Sequence, residues 1–167
     1  MKNEGLKRTA ATGLKILLLT LAVMTMYVSL TGGGPSATAF SEMENAVLSA
    51  ADLGPMSRGD NQMLRRIYGL DPEALEGTTL YYPTSSMSVD ELLLVKFSDE
   101  DREAVREAME ERVASQITSF EGYGPEQVAT LERAVIEVED NYALLISGPD
   151  PEGVRQAFLN AYGGARP

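Results

Sequence analysis

The chain has no cysteine, no histidine and no tryptophan, and its only lysine beyond position 39 is Lys96. Each absence removes a class of chemistry. Without cysteine or histidine there is no Cys–His nucleophile, no Ser–His–Asp triad, no ordinary zinc site and no imidazole proton switch. Disulfides are excluded as well, so the fold rests on its apolar core alone. Positive charge is scarce: 14 Lys and Arg stand against 25 Asp and Glu, a net charge of −11. That balance argues against nucleic acid and against anionic lipid headgroups as partners, since both recruit Lys and Arg. At 167 residues the chain is one domain with an appended segment.

The appended segment is residues 1–39. Lys2, Lys7, Arg8 and Lys15 precede an uncharged run, Ile16–Leu30, and the only acid before position 42 is Glu4. A basic start, an apolar stretch and the break at Gly32, Gly33, Gly34 and Pro35 have the layout of a secretory leader. Ala37-Thr38-Ala39 offers the small-x-small pattern for cleavage after Ala39. An uncleaved anchor over residues 16–34, its basic end in the cytoplasm, is the competing reading, and a buried helix of a cytosolic protein the third. No cysteine follows the apolar run, so attachment through a lipidated cysteine is excluded. Both leading readings place residues 40–167, which carry 10 basic and 24 acidic side chains, outside the cytoplasm. The glycines fit a neck better than a phosphate cradle, because no strand precedes them and no lysine follows.

Residues 40–167 read as two short helices followed by β-β-α-β-β-α. Ser41 caps a first helix to Asp52 that presents Met43, Ala46, Val47 and Ala50. Asp60 caps a second, carrying Met63, Leu64, Ile67 and Tyr68 and stopping at Gly69. Thr78–Tyr82 is β-branched and aromatic, and Pro83 marks it as an edge strand. Leu92–Phe97 is almost continuously apolar, with Leu93, Val95 and Phe97 on one side and Leu92 and Leu94 on the other, as an interior strand requires. Ser98 and the acids after it open a long helix whose stripe is Val105, Met109, Val113, Ile117 and Phe120. Gly122 and Gly124 end it, and Pro125 begins a short helix. Ala134–Glu139 and Tyr142–Ser147 form a hairpin across Asp140-Asn141. Asp150-Pro151-Glu152 starts the last helix, which Gly163-Gly164 ends. The expected fold is α+β: a four-stranded, antiparallel-rich sheet of order 3-4-2-1, a permuted ferredoxin-like arrangement, with helices on one face.

Several segments resemble one family. Met63–Leu70 looks like its leucine–tyrosine–glycine motif, and Asp90-Glu91-Leu92 like the opening of its second strand. Glu110-Glu111-Arg112 through Gln116 and Phe120, then Tyr123-Gly124-Pro125-Glu126, is similar to its helix-turn-helix. Ala134-Val135-Ile136 and Asn141–Ser147 are similar to its final hairpin. The family is the bacterial domain of unknown function 4358 (DUF4358). The resemblance implies this fold and an envelope location behind a lipoprotein or membrane leader; it brings no activity. The absence of the lipidated cysteine is the departure from its pattern.

Candidate chemistry is thin. Asp99, Asp101, Glu103, Glu107 and Glu110 fall on a calcium-loop spacing, but Ala104 stands where the turn needs glycine, so a solvated helix face is the better reading. Paired carboxylates for glycoside hydrolysis need a cleft that spacing cannot reveal. Ser85 and Ser86 lack a base, since no Ser-x-x-Lys spacing occurs. No catalytic, cofactor-binding or metal-binding residue is therefore assigned. Tyrosine is the residue type that points to recognition, because its ring packs while its hydroxyl stays wet. Most of the tyrosines close the core; the candidate partner-binding residues are Tyr81, Tyr82, Ser85, Ser86, Met87 and Tyr123, around an open strand edge that an extended peptide can join. The expected function is a non-enzymatic, extracytoplasmic interaction domain for an envelope protein or peptide, with a carboxylate-based hydrolase of envelope material as the alternative.

Overall fold

Six consecutive residues of one strand, Glu91–Lys96, and six of another, Tyr142–Ser147, are buried on both sides, and the fold is built around that pair. The computed structural model describes residues 35–54 and 56–165, and one compact unit starts at Phe40. Its elements are α1 (Pro35–Ala50), β1 (Met56–Arg58), α2 (Asn61–Tyr68), β2 (Gly77–Pro83), β3 (Glu91–Lys96), a 3-10 turn (Asp99–Asp101), α3 (Arg102–Phe120), α4 (Pro125–Leu131), β4 (Val135–Glu139), β5 (Tyr142–Ser147) and α5 (Pro151–Ala165).

The strands form one sheet of order β1-β2-β3-β5-β4, every neighbour antiparallel. The expected four-strand order is present, and a fifth strand extends it. β1 pairs Met56 with Pro83, Ser57 with Tyr82 and Arg58 with Tyr81, so the Thr78–Pro83 strand is not the outer one. At the other end, Asp140 takes φ 43° in the tight link between β4 and β5. Short polar side chains tolerate that left-handed backbone.

Helices cover both faces, not one. Leu93 and Val95 with Ala143 and Leu145 meet Leu64 and Tyr68 of α2 and Val105, Ala108 and Met109 of α3. Leu92 and Leu94 with Leu144 and Ile146 meet Met43 and Val47 of α1 and Val154 and Phe158 of α5. The reason is in the alternation: strands apolar on both sides need cover on both sides. A third cluster, Val89, Phe120 and Leu131, fixes the corner where α3 turns into α4.

Capping follows local chemistry with three differences. Asp60 Oδ1 accepts from the Met63 N–H at 2.9 Å, and Gly69 (φ 68°) closes α2 through its N–H to the Arg65 carbonyl at 3.0 Å. Asp150 Oδ1 accepts from the Gly153 N–H at 3.0 Å. Ser41 lies inside α1, because Pro35 is preorganised for a first helical turn and starts the helix earlier. The Ser98 hydroxyl donates to the Asp101 carboxylate at 2.7 Å instead of accepting from the backbone, and the 3-10 turn precedes α3. α5 runs past Gly163 to Ala165. No helix among the described residues is long and apolar enough to cross a membrane; the apolar segment 16–34 lies outside them.

Candidate functional site

Four side chains from three separate elements meet at one end of β3. Glu91 is fully buried, and its place in the alternation turns it toward α2 and α3. Tyr68 ends α2 and donates its hydroxyl proton to Glu91 Oε1. From α3, Arg112 donates through Nε to both carboxylate oxygens at 3.2 Å and through Nη2 to Oε2 at 2.7 Å. Gln116, one turn further along, adds an Nε2 contact to Oε2 at 3.4 Å. No buried side-chain polar atom among the described residues lacks a partner. Burial pushes the Tyr68 hydroxyl well above its ordinary value of 10.0, and the neighbouring Glu91 charge and hydrogen bond push it further. For Arg112, burial pulls the guanidinium down, but the hydrogen bonds and charge of Glu91 outweigh it and hold it above its ordinary value.

Two members of this cluster, Arg112 and Gln116, line a cleft of about 540 Å³. Met63, Arg66 and Ile67 of α2 form one wall, and Gln116, Ser119 and Phe120 of α3 form the opposite one. The loop after β2 and Tyr123 close the rim. Arg112 links the buried Glu91 carboxylate to the cleft, with a side chain 23% exposed. The lining contains two arginines and no carboxylate. In a chain of net charge −11 that is a reversal of sign.

Of the six candidate partner-binding residues, Tyr82, Ser85, Ser86 and Tyr123 are brought together in this cleft. Tyr123 is 62% exposed, its ring tilted against Phe120 at 5.5 Å. Tyr81 belongs to the opposite face, packed on the α1–α5 cluster. Met87 is exposed outside the lining, its carbonyl accepting from Gln127 Nε2 at 3.0 Å. Arg66, Arg112 and Gln116 were not among the candidates. The available signal was Glu91, an acid at an inward position of an apolar strand, together with Gln116 interrupting the apolar stripe of α3.

A second, open depression of about 510 Å³ holds Glu76, Asp99 and Asp140 beside Phe97, Ser98, Arg102 and Asn141. Each of its carboxylates has a partner: Lys96 Nζ on Glu76 at 2.9 Å, Arg102 Nη2 on Asp99 at 3.3 Å, and the Tyr162 hydroxyl on Asp140. α3 continues as regular helix through Glu103, Glu107 and Glu110. No group of acids that could hold a metal ion occurs among the described residues.

The family model described as Domain of unknown function (DUF4358) matches residues 49–148, more than half of the chain. That span contains the whole Tyr68–Glu91–Arg112–Gln116 cluster and every residue lining its cleft. No curated protein and no solved structure matches.

Proposed function

We propose that this chain, which belongs to the DUF4358 family, is a non-enzymatic interaction domain displayed outside the cytoplasm of a bacterial envelope. A segment of an envelope protein or peptide docks in the cleft between α2 and α3. The observation that carries this reading is the cleft itself: concave, lined by aromatic rings, hydroxyls and two arginines, and without a carboxylate on a strongly acidic chain. Mixed apolar and convergent polar walls are what small recognition sites share. The location rests on the basic, apolar start of the chain, with residues 16–34 as the membrane anchor if uncleaved and release after Ala39 if cut. Nucleic acid is not a partner on this reading, and no cofactor is needed.

The test is a photo-crosslinking amino acid placed at Tyr123, and separately at Glu100, in the full chain in living cells. A discrete adduct from position 123 and none from position 100 supports cleft docking. Equal labelling from both positions, or none from position 123, sinks it.

A hydrolase of envelope material is the second reading, and its support is the acidic depression at Glu76, Asp99 and Asp140. A general acid must be poised near the working pH, which needs a carboxyl that is not already paired with a cation. Glu76 and Asp99 are so paired, which favours the docking reading.

A further inference from the structure

Building on the docking reading, we infer that the cleft recognises a free carboxylate: the C-terminal end of an extended peptide with an apolar last side chain. Three features of the cleft carry this.

The first is the preset cation. Arg112 spends Nε and Nη2 on Glu91, and that fork fixes the plane of the guanidinium. Arginine has five N–H donors in a rigid fan, so Glu91 does not exhaust the donors of a side chain that lines the cleft. A donor already held in place loses little freedom on binding, which is the general advantage of preorganisation. Exposed Arg66, with no ion pair among the described residues, stands on the facing wall. A neutral ligand would bury these donors without acceptors of matching charge, and a planar carboxylate is the acceptor that arginine forks fit best.

The second is charge. Arg66 and Arg112, with Glu91 beneath them, sum to +1. That matches a monoanion. A phosphate dianion would bring excess negative charge beside the buried Glu91, in a chain that is already −11.

The third is shape. Met63, Ile67 and Phe120 give an apolar wall beside the cations, and Ser85 and Ser86 give hydroxyls within the same cleft. A volume of about 540 Å³ suits the last side chain and terminus of a peptide, not the face of a folded domain.

The experiment titrates the full chain, nitrogen-15 labelled and held in a mild detergent, with N-acetylphenylalanine, its carboxamide and inorganic phosphate. Amide signals of Ser85, Ser86, Ser119 and Tyr123 and the Arg112 Nε–H are followed. N-acetylphenylalanine is expected to move all of them saturably, with the carboxamide and phosphate each at least about 10-fold weaker, a difference of about 1.4 kcal/mol. R66Q should reduce the acid-over-amide preference to about 3-fold or less. Equal affinity for acid and amide overturns the inference, as does phosphate binding as tightly as the acid, or no movement at the cleft with any probe. The docking reading is decided separately by the crosslink from position 123, so a specific adduct alongside equal acid and amide binding leaves docking standing and removes only the carboxylate.

Discussion

Arg112 holds Glu91 with an Nη2–Oε2 contact of 2.7 Å, yet only the carboxylate is sealed from solvent; 23% of the arginine side chain opens into the cleft. The pair thus runs from the core to the surface, and its two halves are unequal. Removing one partner of a buried pair is costly because the other is left uncompensated, even where the intact pair contributes little net stability.

R112Q is therefore expected to destabilise more than E91Q. R112Q leaves a carboxylate at 0% exposure facing only Tyr68 and Gln116, a loss of about 3–5 kcal/mol. E91Q leaves a cation that can turn toward water. Urea denaturation of the two variants checks the order, and a lower midpoint for E91Q would contradict this account of the pair.

Tyr68 makes stability fall at high pH. Its hydroxyl titrates above the ordinary value in the folded chain, through burial first and the Glu91 charge second. The stabilisation is full below the unfolded value near 10 and is lost as pH rises through the folded value, because the unfolded chain can ionise where the folded one cannot. Y68F should flatten the decline above pH ~10 and should cost about 1.5–3 kcal/mol at neutral pH, the range for a hydrogen bond to a charged group. Some alkaline slope remains in Y68F, since burial and then Glu76 also raise Tyr142. A thermal melt series from pH 7 to 12 reads both effects.

Much of the fold was legible from short-range chemistry. Asp60, Gly69, Pro125, Asp140 and Asp150 act within four residues of their own positions, so their roles are visible without knowing the fold. The pairing of β3 with β5 follows from a right-handed crossover between the two hairpins, which leaves room for the fourth predicted strand beside the second. β1 was invisible because it is three residues long and its Met-Ser-Arg sequence has no β-forming signature. Cover on both faces was implied by Leu92 and Leu94 opposing Leu93 and Val95, but a single-faced ferredoxin-like scheme had no place for α1. Tyr82, Ser85, Ser86 and Tyr123 are candidates on the strength of an open strand edge that β1 in fact covers; their convergence with Arg66 and Arg112 depends on contacts between elements far apart in the chain, which no local pattern encodes.

The added strand makes a graded comparison. The Gly59 N–H bonds the Leu80 carbonyl at 2.8 Å, and hydrogen-bonded pairs alternate along an antiparallel ladder, so Ser57 and Tyr82 form the next bonded pair. S57P deletes that donor at the sheet's margin and should cost about 1 kcal/mol. V95D puts a charge at a fully buried position and should unfold the domain. Circular dichroism melts distinguish the two, and a folded V95D would refute the placement of β3 at the centre.

Export is testable without any partner. Residues 1–45 fused to a reporter active only outside the cytoplasm should give signal, and mass spectrometry should find an amino terminus at Phe40 if the leader is cut. A reporter active only inside the cell would remove the envelope reading.

The sheet's centre is also its least local junction. β4 and β5 are joined by Asp140 and Asn141, and β2 and β3 by the loop after Pro83, so each hairpin closes quickly on its own. β3 reaches β5 only after α3 and α4 have been gathered in, along a ladder running from Glu91 opposite Ser147 to Lys96 opposite Tyr142. Because long-range pairing must bear its loop-closure entropy before it gains contacts, the zipping of β3 to β5 is expected to be the slow step of folding. Substitutions in that ladder are then expected to slow folding, and those in β1 mainly to speed unfolding, which stopped-flow folding and unfolding rates of the variants would read.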